Sequence, residues 1–221
     1  GYSGGSYTVG ASTTISGENG SISFIENQGT INANVSGGYL QLSYGGNGWT
    51  NSGSLIASNG GTLNISGTIA SGGLGSYTID TGGAIILPGT LYNTGYTQDL
   101  SGIDIRGTII GGQVDNANSF TSTTSLDGVT LGTDTTFASN RRFQIYNDLQ
   151  LLDGVTLTVG DASTYGQVYM YDAGTIRAAS GSADILFGSD AGNIISGYSG
   201  GSYTVGASTT ISGENGSISF I

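Results

Sequence analysis

The sequence predicts an all-β protein in the form of a β-solenoid, and three observations support that class. Short runs of alternating apolar and polar residues recur along the 221-residue chain. A glycine signature returns at about the spacing of one solenoid coil. Residues 197–221 repeat residues 1–25 letter for letter. Together these features indicate stacked coils rather than a self-contained globule.

The predicted strands are short and are bounded by Gly, Asn, Asp or Ser, which favour turns. They are rich in Ile, Val, Thr and Tyr, which favour β structure. The predicted strands are 40–43, 61–66, 77–80, 143–146, 155–159, 167–171 and 202–205. Apolar residues rarely recur at helical spacing, so we expect a helix content close to nil.

A weaker repeat consists of Gly, then Thr or another small residue, then an aliphatic residue. It occurs at 29–31, 53–55, 67–69, 89–91, 107–109, 174–176 and 192–194, and in a stretched form at 126–131 and 152–157. Most successive signature glycines lie 18 to 26 residues apart, which is the length of one β-solenoid coil. About nine or ten coils would then form one unit.

Each coil is expected to carry two or three strands that pair in parallel with the coils above and below. Inward Ile, Leu and Val would stack on like residues, and Asn would form side-chain ladders between coils. With about 4.8 Å between coils, one unit would extend about 45 Å along its axis.

The duplication defines one repeat at residues 1–196 and the start of the next identical repeat at 197–221. Perfect identity in a stretch without catalytic-looking residues indicates copies that are kept interchangeable or were duplicated very recently. A parallel coil exposes an unpaired edge, which aggregates unless it is capped or continued. The expected partners are therefore identical copies of the chain, stacked end to end, with lateral bundling as a further option.

A β-sandwich or jelly roll is the alternative fold. Its hairpins would use the Asn-Gly and Asp-Gly pairs at 19–20, 47–48, 59–60, 127–128 and 153–154. These dipeptides serve solenoid corners equally well. The 42 glycines and the single proline, Pro88, fit the solenoid better.

Composition excludes several classes of function. Four arginines face fifteen carboxylates, and a net charge of −11 leaves no cationic stripe for nucleic acid. The absence of cysteine excludes disulfides and thiolate metal sites. The longest purely apolar run, 84–87, is far too short to cross a bilayer, so no membrane span is expected in these residues.

Segments 26–33, 50–57 and 59–70 contain Asn-x-Gly-x-aliphatic coils and related patterns. They resemble the coils of filamentous-haemagglutinin-type adhesins and autotransporter passengers, most clearly over residues 26–110. The resemblance implies a right-handed parallel β-helix that bacteria secrete and display as a long fibre. Identical recurrence after 196 residues departs from the diverged coils of those families and favours a giant repetitive filament at the cell surface.

The expected role is structural and non-enzymatic, with no catalytic residue, cofactor or designed metal site. Parallel β-helices also include enzymes that cleave acidic polysaccharides, for which Asp104 and Arg106 would be candidates. Their spacing, like that of Asp172 and Arg177, fits solvated ion pairs better. No calcium-binding loop occurs, so only adventitious Ca²⁺ at the acidic surface is anticipated.

Trp49, Tyr169 and Tyr171 are candidates for contact with a glycan or a surface, and Tyr165 belongs to the same tyrosine cluster in the sequence. Aromatic rings stack on sugars, and such contacts would make the solenoid an adhesin stalk with a binding face. Tyr169 and Tyr171 fall on one face of a predicted strand. Packing against neighbouring strands is the alternative role for both tyrosines.

Arg141 and Arg142 lie in the longest interval between signature glycines, from Gly128 to Gly154. The extra length predicts a loop that protrudes from the solenoid. In such a loop, the two arginines would be solvated or would pair with carboxylates of a neighbouring fibre.

Overall fold

The computed structural model describes residues 7–23, 26–43, 48–70, 72, 74–116, 124–198 and 202–219. The described residues form strands, turns and bends and contain no helix, which confirms the all-β prediction. No helix in these ranges is long and apolar enough to cross a membrane.

Most strands have two to five residues, and the three strands of eight residues or more lie in the second half of the chain. The first thirteen are β1 (Thr8–Val9), β2 (Thr14–Gly17), β3 (Asn19–Ile22), β4 (Glu26–Asn27), β5 (Thr30–Ala33), β6 (Tyr39–Leu42), β7 (Thr50–Asn51), β8 (Ser54–Ala57), β9 (Thr62–Ile65), β10 (Thr68–Ile69), β11 (Ser76–Ile79), β12 (Ala84–Leu87) and β13 (Thr90–Tyr92). The others are β14 (Thr97–Asp99), β15 (Ile103–Ile105), β16 (Thr108–Ile110), β17 (Gln113–Asp115), β18 (Thr124–Leu131), β19 (Thr135–Phe137), β20 (Arg141–Leu151), β21 (Thr156–Val159), β22 (Gly166–Ala178), β23 (Ala183–Phe187), β24 (Ile194–Gly197), β25 (Thr204–Val205), β26 (Thr209–Gly213) and β27 (Ser217–Ser219).

The strand pairs of the described chain are parallel, and partners lie roughly one coil apart in sequence. The shortest interval is sixteen residues, from Thr14 to Thr30, and the longest is twenty-nine, from Thr175 to Thr204. A parallel pair at this spacing means that the chain has made one turn and lies beside itself. This arrangement is a parallel β-helix, and it excludes the hairpin-built sandwich.

Two compact units make up the chain. Unit 1 comprises Gly1–Tyr96 and Gly102–Gly107, and unit 2 comprises Thr97–Ser101 and Thr108–Ile221. In unit 1 the strand orders are β1-β4-β7, β2-β5-β8-β11, β3-β6-β9-β12-β15 and β10-β13. In unit 2 they are β16-β18-β20-β22-β24-β27, with β14-β17 beside β18 and β25 beside β22, and β19-β21-β23-β26.

The core of each unit consists of columns of like side chains. In unit 1, Leu63 of β9 lies in register with Leu40 and Ile85 of the neighbouring coils. All three side chains are buried. Buried and half-exposed residues alternate along β9, so every second side chain faces outward. Burial of one such aliphatic side chain contributes about 1.5–3 kcal/mol, so the columns stabilise the stack of coils.

The signature glycines allow the coils to approach closely. A Cβ atom at Gly53 would lie 2.0 Å from the carbonyl oxygen of Gly29 in the preceding coil. A Cβ atom at Gly107 would lie 1.9 Å from the carbonyl oxygen of Gly89. At Gly53 and Gly107, and likewise at Gly29, Gly89 and Gly174, the backbone of the neighbouring coil therefore occupies the space that a side chain would need. Gly128 and Gly154 of the stretched signature instead face open space and have a positive φ.

The predicted loop at Arg141 and Arg142 is wrong, because both residues belong to β20, which pairs with β18 and β22. The extra length is absorbed within the sheet by a register shift between Tyr146 and Asp148. Asn147, at the shift, has a positive φ of 57°. A single left-handed residue thus turns the strand without expelling a loop.

Candidate functional site

The repeated segment has the same local structure in its two copies. Residues 7–23 form β1, β2 and β3 in unit 1, and the identical residues 203–219 form β25, β26 and β27 in unit 2. The strand boundaries differ by one or two residues between the copies. Because the two sequences are the same, differences in pairing reflect only the neighbouring coils.

The two copies use opposite edges of the segment. In unit 1, β1, β2 and β3 pair with β4, β5 and β6, which follow them in the sequence. In unit 2, β25, β26 and β27 pair with β22, β23 and β24, which precede them. One segment can therefore receive a coil on either side.

Three apolar positions of the segment stand in register with core residues in both copies. The pairs in unit 1 are Val9 with Asn27, Ile15 with Ile31, and Ile22 with Leu42. The pairs in unit 2 are Val205 with Ile176, Ile211 with Ile185, and Ile218 with Ile195. The same three positions of the segment therefore align with inward-facing residues of the following coil in one copy and of the preceding coil in the other.

Val9 is buried, but the other side chains of this set are incompletely covered. Ile15 and Ile211 are half-buried, whereas their partners Ile31 and Ile185 are fully buried. Ile218 is 42% exposed. In each copy the described residues place a coil on one side of the segment only, so a second coil would bury further apolar surface.

A ladder of buried asparagines joins β4 and β7, the two strands that follow β1 in its sheet in unit 1. The side-chain amide of Asn27 donates to Oδ1 of Asn51 at 2.6 Å, and the amide of Asn51 donates to the carbonyl oxygen of Leu74 at 2.8 Å. Both asparagines are buried. The expectation of asparagine ladders between coils is confirmed at these positions.

Trp49 does not lie at the surface, where the sequence analysis placed it. Its side chain is fully buried, and its backbone forms a parallel bridge with Ile69 in unit 1. Burial of the large indole stabilises the core more than exposure would. Trp49 is therefore not available to stack on a glycan.

Tyr169 and Tyr171 face outward on β22 and lie within a larger aromatic group, which we name the tyrosine face: Tyr146, Tyr169, Tyr171 and Tyr198. Ring centroids are 4.9 Å apart for Tyr146 and Tyr171, 4.9 Å for Tyr171 and Tyr198, and 6.1 Å for Tyr169 and Tyr198. Aromatic pairs of this geometry stabilise neighbouring strands, so cross-strand packing describes part of the role of both tyrosines.

The environment of the tyrosine face is charged at both sides. Burial raises the pKa of the Tyr146 hydroxyl, and the neighbouring Tyr171, Asp172 and Asp127 raise it further. At the other side, the guanidinium carbon of Arg142 lies 4.6 Å from the centre of the Tyr169 ring. The face is therefore acidic at one side and cationic at the other.

Of the two acid and arginine pairs considered for catalysis, Asp104 and Arg106 form a partly exposed ion pair, whereas Asp172 and Arg177 do not pair with each other. Two nitrogens of Arg106 donate to Oδ2 of Asp104, at 2.9 and 2.5 Å, and this pair raises the pKa of Arg106. Arg177 pairs with Asp148 at 3.4 Å in the neighbouring coil, and not with Asp172. In the described ranges, no three acidic residues are grouped so as to hold a metal ion.

Sequence reasoning missed Tyr146 and Tyr198, as well as the polar residues beside Arg142. Tyr146 stands in register with Tyr171 although twenty-five residues separate them. The alternation of β20 does place Tyr146 on an outward position, but only the register between coils brings the rings together.

Comparison with known proteins finds no matching family model, no matching curated protein and no matching solved structure. The geometry of the repeated segment and of the outer sheet face is therefore the basis for assigning a function.

Proposed function

We propose that this chain is a repeat of an extracellular bacterial β-solenoid filament in which identical repeats stack end to end. The observation that carries the proposal is the use of both edges of one repeated segment. Ile15 and Ile211 are the same residue of the repeat, and they pair with a following coil in one copy and a preceding coil in the other. A copy with both neighbours would continue the sheets from one repeat into the next.

Continuity of the core supports the same proposal. Around the central position of the segment, the column would run from Ile185 through the shared isoleucine to Ile31, with aliphatic residues throughout. Both outer members of this column are fully buried. The junction would therefore resemble the interior of either unit and would need no special contacts.

The proposed role is mechanical. Hydrogen bonds between parallel coils run along the axis of a β-helix, so a pulling force would be shared among several sheets. The net charge of −11 favours solubility and repels other acidic macromolecules. The lack of lysine leaves few cleavage sites for trypsin-like proteases. These properties, with the resemblance to filamentous-haemagglutinin-type coils, support secretion to the cell surface and a role without catalysis.

A length series tests the proposal. Chains with one, two and three copies of residues 1–196, each followed by residues 197–221, would be imaged by electron microscopy. We expect straight rods that lengthen by about 45 Å for each added repeat, with a spacing near 4.8 Å in diffraction. Flexible strings of separate beads would contradict end-to-end continuity.

A junction variant sharpens the test. In the two-repeat chain, Ile→Asp at the internal copy of Ile15 would place a charge in the continuous column, and we expect rods that kink or break at the junction. Leu186→Asp is the matched control, because Leu186 is an outward, 39% exposed residue of β23. If both variants form equally straight rods, the segment does not join the repeats.

A further inference from the structure

A concave groove of about 450 Å³ lies in unit 2 at the start of β20 and β22. This volume falls within the range of small-molecule sites in proteins. Its lining is polar, so it does not suit an apolar ligand. The residues that line it are Asn140, Arg141, Arg142, Gln144, Tyr165 and Gln167.

Two arginines that form no ion pair with described residues, Arg141 and Arg142, line the groove. Of the four arginines in the sequence, Arg106 and Arg177 form ion pairs with aspartates. Across the described residues, Arg141 and Arg142 form no salt bridge, and both are exposed. Two guanidinium groups that line one groove and have no carboxylate partner among the described residues favour an anionic ligand.

The groove is organised before any ligand binds. The guanidinium of Arg142 lies over the ring of Tyr169, which restricts its position through a cation–π contact. The backbone N–H of Asn140 donates to the carbonyl oxygen of Tyr165 at 3.0 Å, and the N–H of Tyr165 donates to Oδ1 of Asn140 at 3.1 Å. A site fixed in advance loses less entropy on binding.

Gly192 in the following coil leaves room for the side chain of Tyr165. A Cβ atom at Gly192 would lie 3.0 Å from Cβ and 3.1 Å from Cδ1 of Tyr165. Tyr165 is half-buried, so part of its ring is accessible from the groove. An accessible aromatic ring beside cations can pack against the C–H face of a sugar.

Two side-chain amides supply neutral hydrogen-bonding groups. Oε1 of Gln144 accepts from the Ser125 hydroxyl at 3.0 Å, and its amide donates to the Tyr171 hydroxyl at 3.3 Å. These bonds fix the orientation of Gln144. Gln167, half-exposed and in register with Arg142, presents both a donor and an acceptor. Sugar hydroxyls need both kinds of partner.

We propose that this groove binds an acidic saccharide, a pyranose that carries a carboxylate. The carboxylate pairs with Arg141 and Arg142, and the sugar ring packs on Tyr165. Gln144 and Gln167 bond the hydroxyls. A carboxylate side chain of a neighbouring fibre would satisfy the arginines but would make no use of the Tyr165 ring or of the Gln167 amide. The groove lies outside the repeated segment, so the proposal does not depend on the stacking of repeats.

Isothermal titration calorimetry of the 221-residue chain tests the proposal with three carboxylate-bearing probes: trigalacturonate, a glucuronate oligosaccharide and sialyllactose. We expect at least one of them to bind. The methyl ester of the bound probe should bind at least about tenfold more weakly, since it lacks the charge that the arginines recognise. Binding should also weaken as salt increases.

Arg142→Gln should weaken binding of that probe about tenfold, because one charge-assisted contact is lost. Arg106→Gln is the matched control: it removes the same charge from an ion pair in unit 1 and should leave the affinity unchanged. Circular dichroism of both variants would confirm that the β fold is kept.

Tyr165→Ala should also weaken binding, whereas Tyr92→Ala, at a 42% exposed tyrosine of unit 1, should not. We assign Tyr169 as a positioning residue that acts through Arg142. Tyr169→Ala should therefore weaken binding, and Tyr169→Phe should restore it, because phenylalanine keeps the ring face but not the hydroxyl.

Three results would overturn the proposal. The first is no binding of any carboxylate probe, and the second is equal affinity for a probe and its methyl ester. The third is that neither the parent chain nor the Arg142→Gln variant binds a saccharide, while sedimentation shows lateral association of the parent chain that the variant has lost. That last result would assign the arginines to carboxylates of a neighbouring copy.

Discussion

A buried asparagine is stable in the wall of a solenoid only while its amide is hydrogen-bonded to the coils on both sides. Asn51 meets this condition, because its Oδ1 accepts from Asn27 and its amide donates to the carbonyl oxygens of Leu74 and Ser76. A shift of register would leave these groups unpaired away from water. The ladder therefore stabilises one alignment of the coils over others.

Asn51→Ala should lower the free energy of unfolding by about 1–3 kcal/mol, since it leaves buried partners unpaired. Chemical denaturation would measure the change. Asn64→Ala is the control in the same unit, because Asn64 is a half-exposed, outward residue of β9, and its loss should cost less than about 0.5 kcal/mol. Equal costs for both variants would mean that the ladder adds nothing to stability.

Asp161 is a second residue with a defined role, as the acceptor at a tight turn. Its carboxylate accepts from the backbone N–H groups of Ser163 and Thr164, and from both hydroxyls. These bonds favour the charged form and lower the pKa of Asp161 from 3.8 to about 2.

The lowered pKa makes stability depend on pH in a predictable direction. The folded state holds the proton more weakly than the unfolded state, so the contribution of Asp161 is present above about pH 4 and is lost as the pH falls towards about 2. The stability difference between the parent chain and Asp161→Asn should therefore shrink over that interval. Denaturation midpoints at about pH 6 and about pH 2 would measure it; a constant difference would refute the assignment.

At the scale of strands and coils, signature glycines such as Gly53 and Gly107 allow neighbouring coils to approach closely. Gly53→Ala should destabilise the chain by about 1–3 kcal/mol or more, because its Cβ would lie 2.0 Å from a backbone oxygen that cannot move alone. Gly20→Ala is the control within β3, where a Cβ would make an ordinary contact of 3.6 Å with Leu40. Thermal unfolding would compare the two. If Gly53→Ala is no more harmful than Gly20→Ala, the coils are not closely packed at the signature.

The strands themselves were largely predictable, because alternation and turn residues are local signals. Runs such as 61–66 and 155–159 correspond to β9 and β21 within one residue. The long strands β20 and β22 were not predictable at full length. Their corners lie at Asn147 and at the Asp172-Ala173 pair, all with positive φ, and Asn and Asp normally mark the end of a strand. The local signal therefore predicts a break where pairing with the neighbouring coil continues.

The candidate surface residues were predicted less well, because their neighbours come from other coils. Tyr169 and Tyr171 were placed correctly on an outward face by alternation alone. The burial of Trp49 depends on the coils that pack around it. The tyrosine face depends on the register between strands that are twenty-five residues or more apart in sequence. Local periodicity does not contain that information.

For the whole molecule, charge sets the conditions of assembly. Copies with a net charge of −11 repel one another at low ionic strength, where the Debye length is about 30 Å at 0.01 M salt. Raising the salt to about 0.15 M shortens it to about 8 Å and should speed association between copies, as followed by light scattering. The proposed saccharide contact should respond in the opposite sense. Association that slows with added salt would point to attraction between charged groups and not to contact between strand edges.

The burial of Trp49 also has a practical use. It is the sole tryptophan of the sequence and lies in the core of unit 1, so its fluorescence should move to longer wavelength when that unit opens to water. The stacked tyrosines belong to unit 2, where ordered rings give a near-ultraviolet circular dichroism signal that is lost on melting. The protein thus carries two native optical labels, and the melting of each half can be followed separately without attaching a dye.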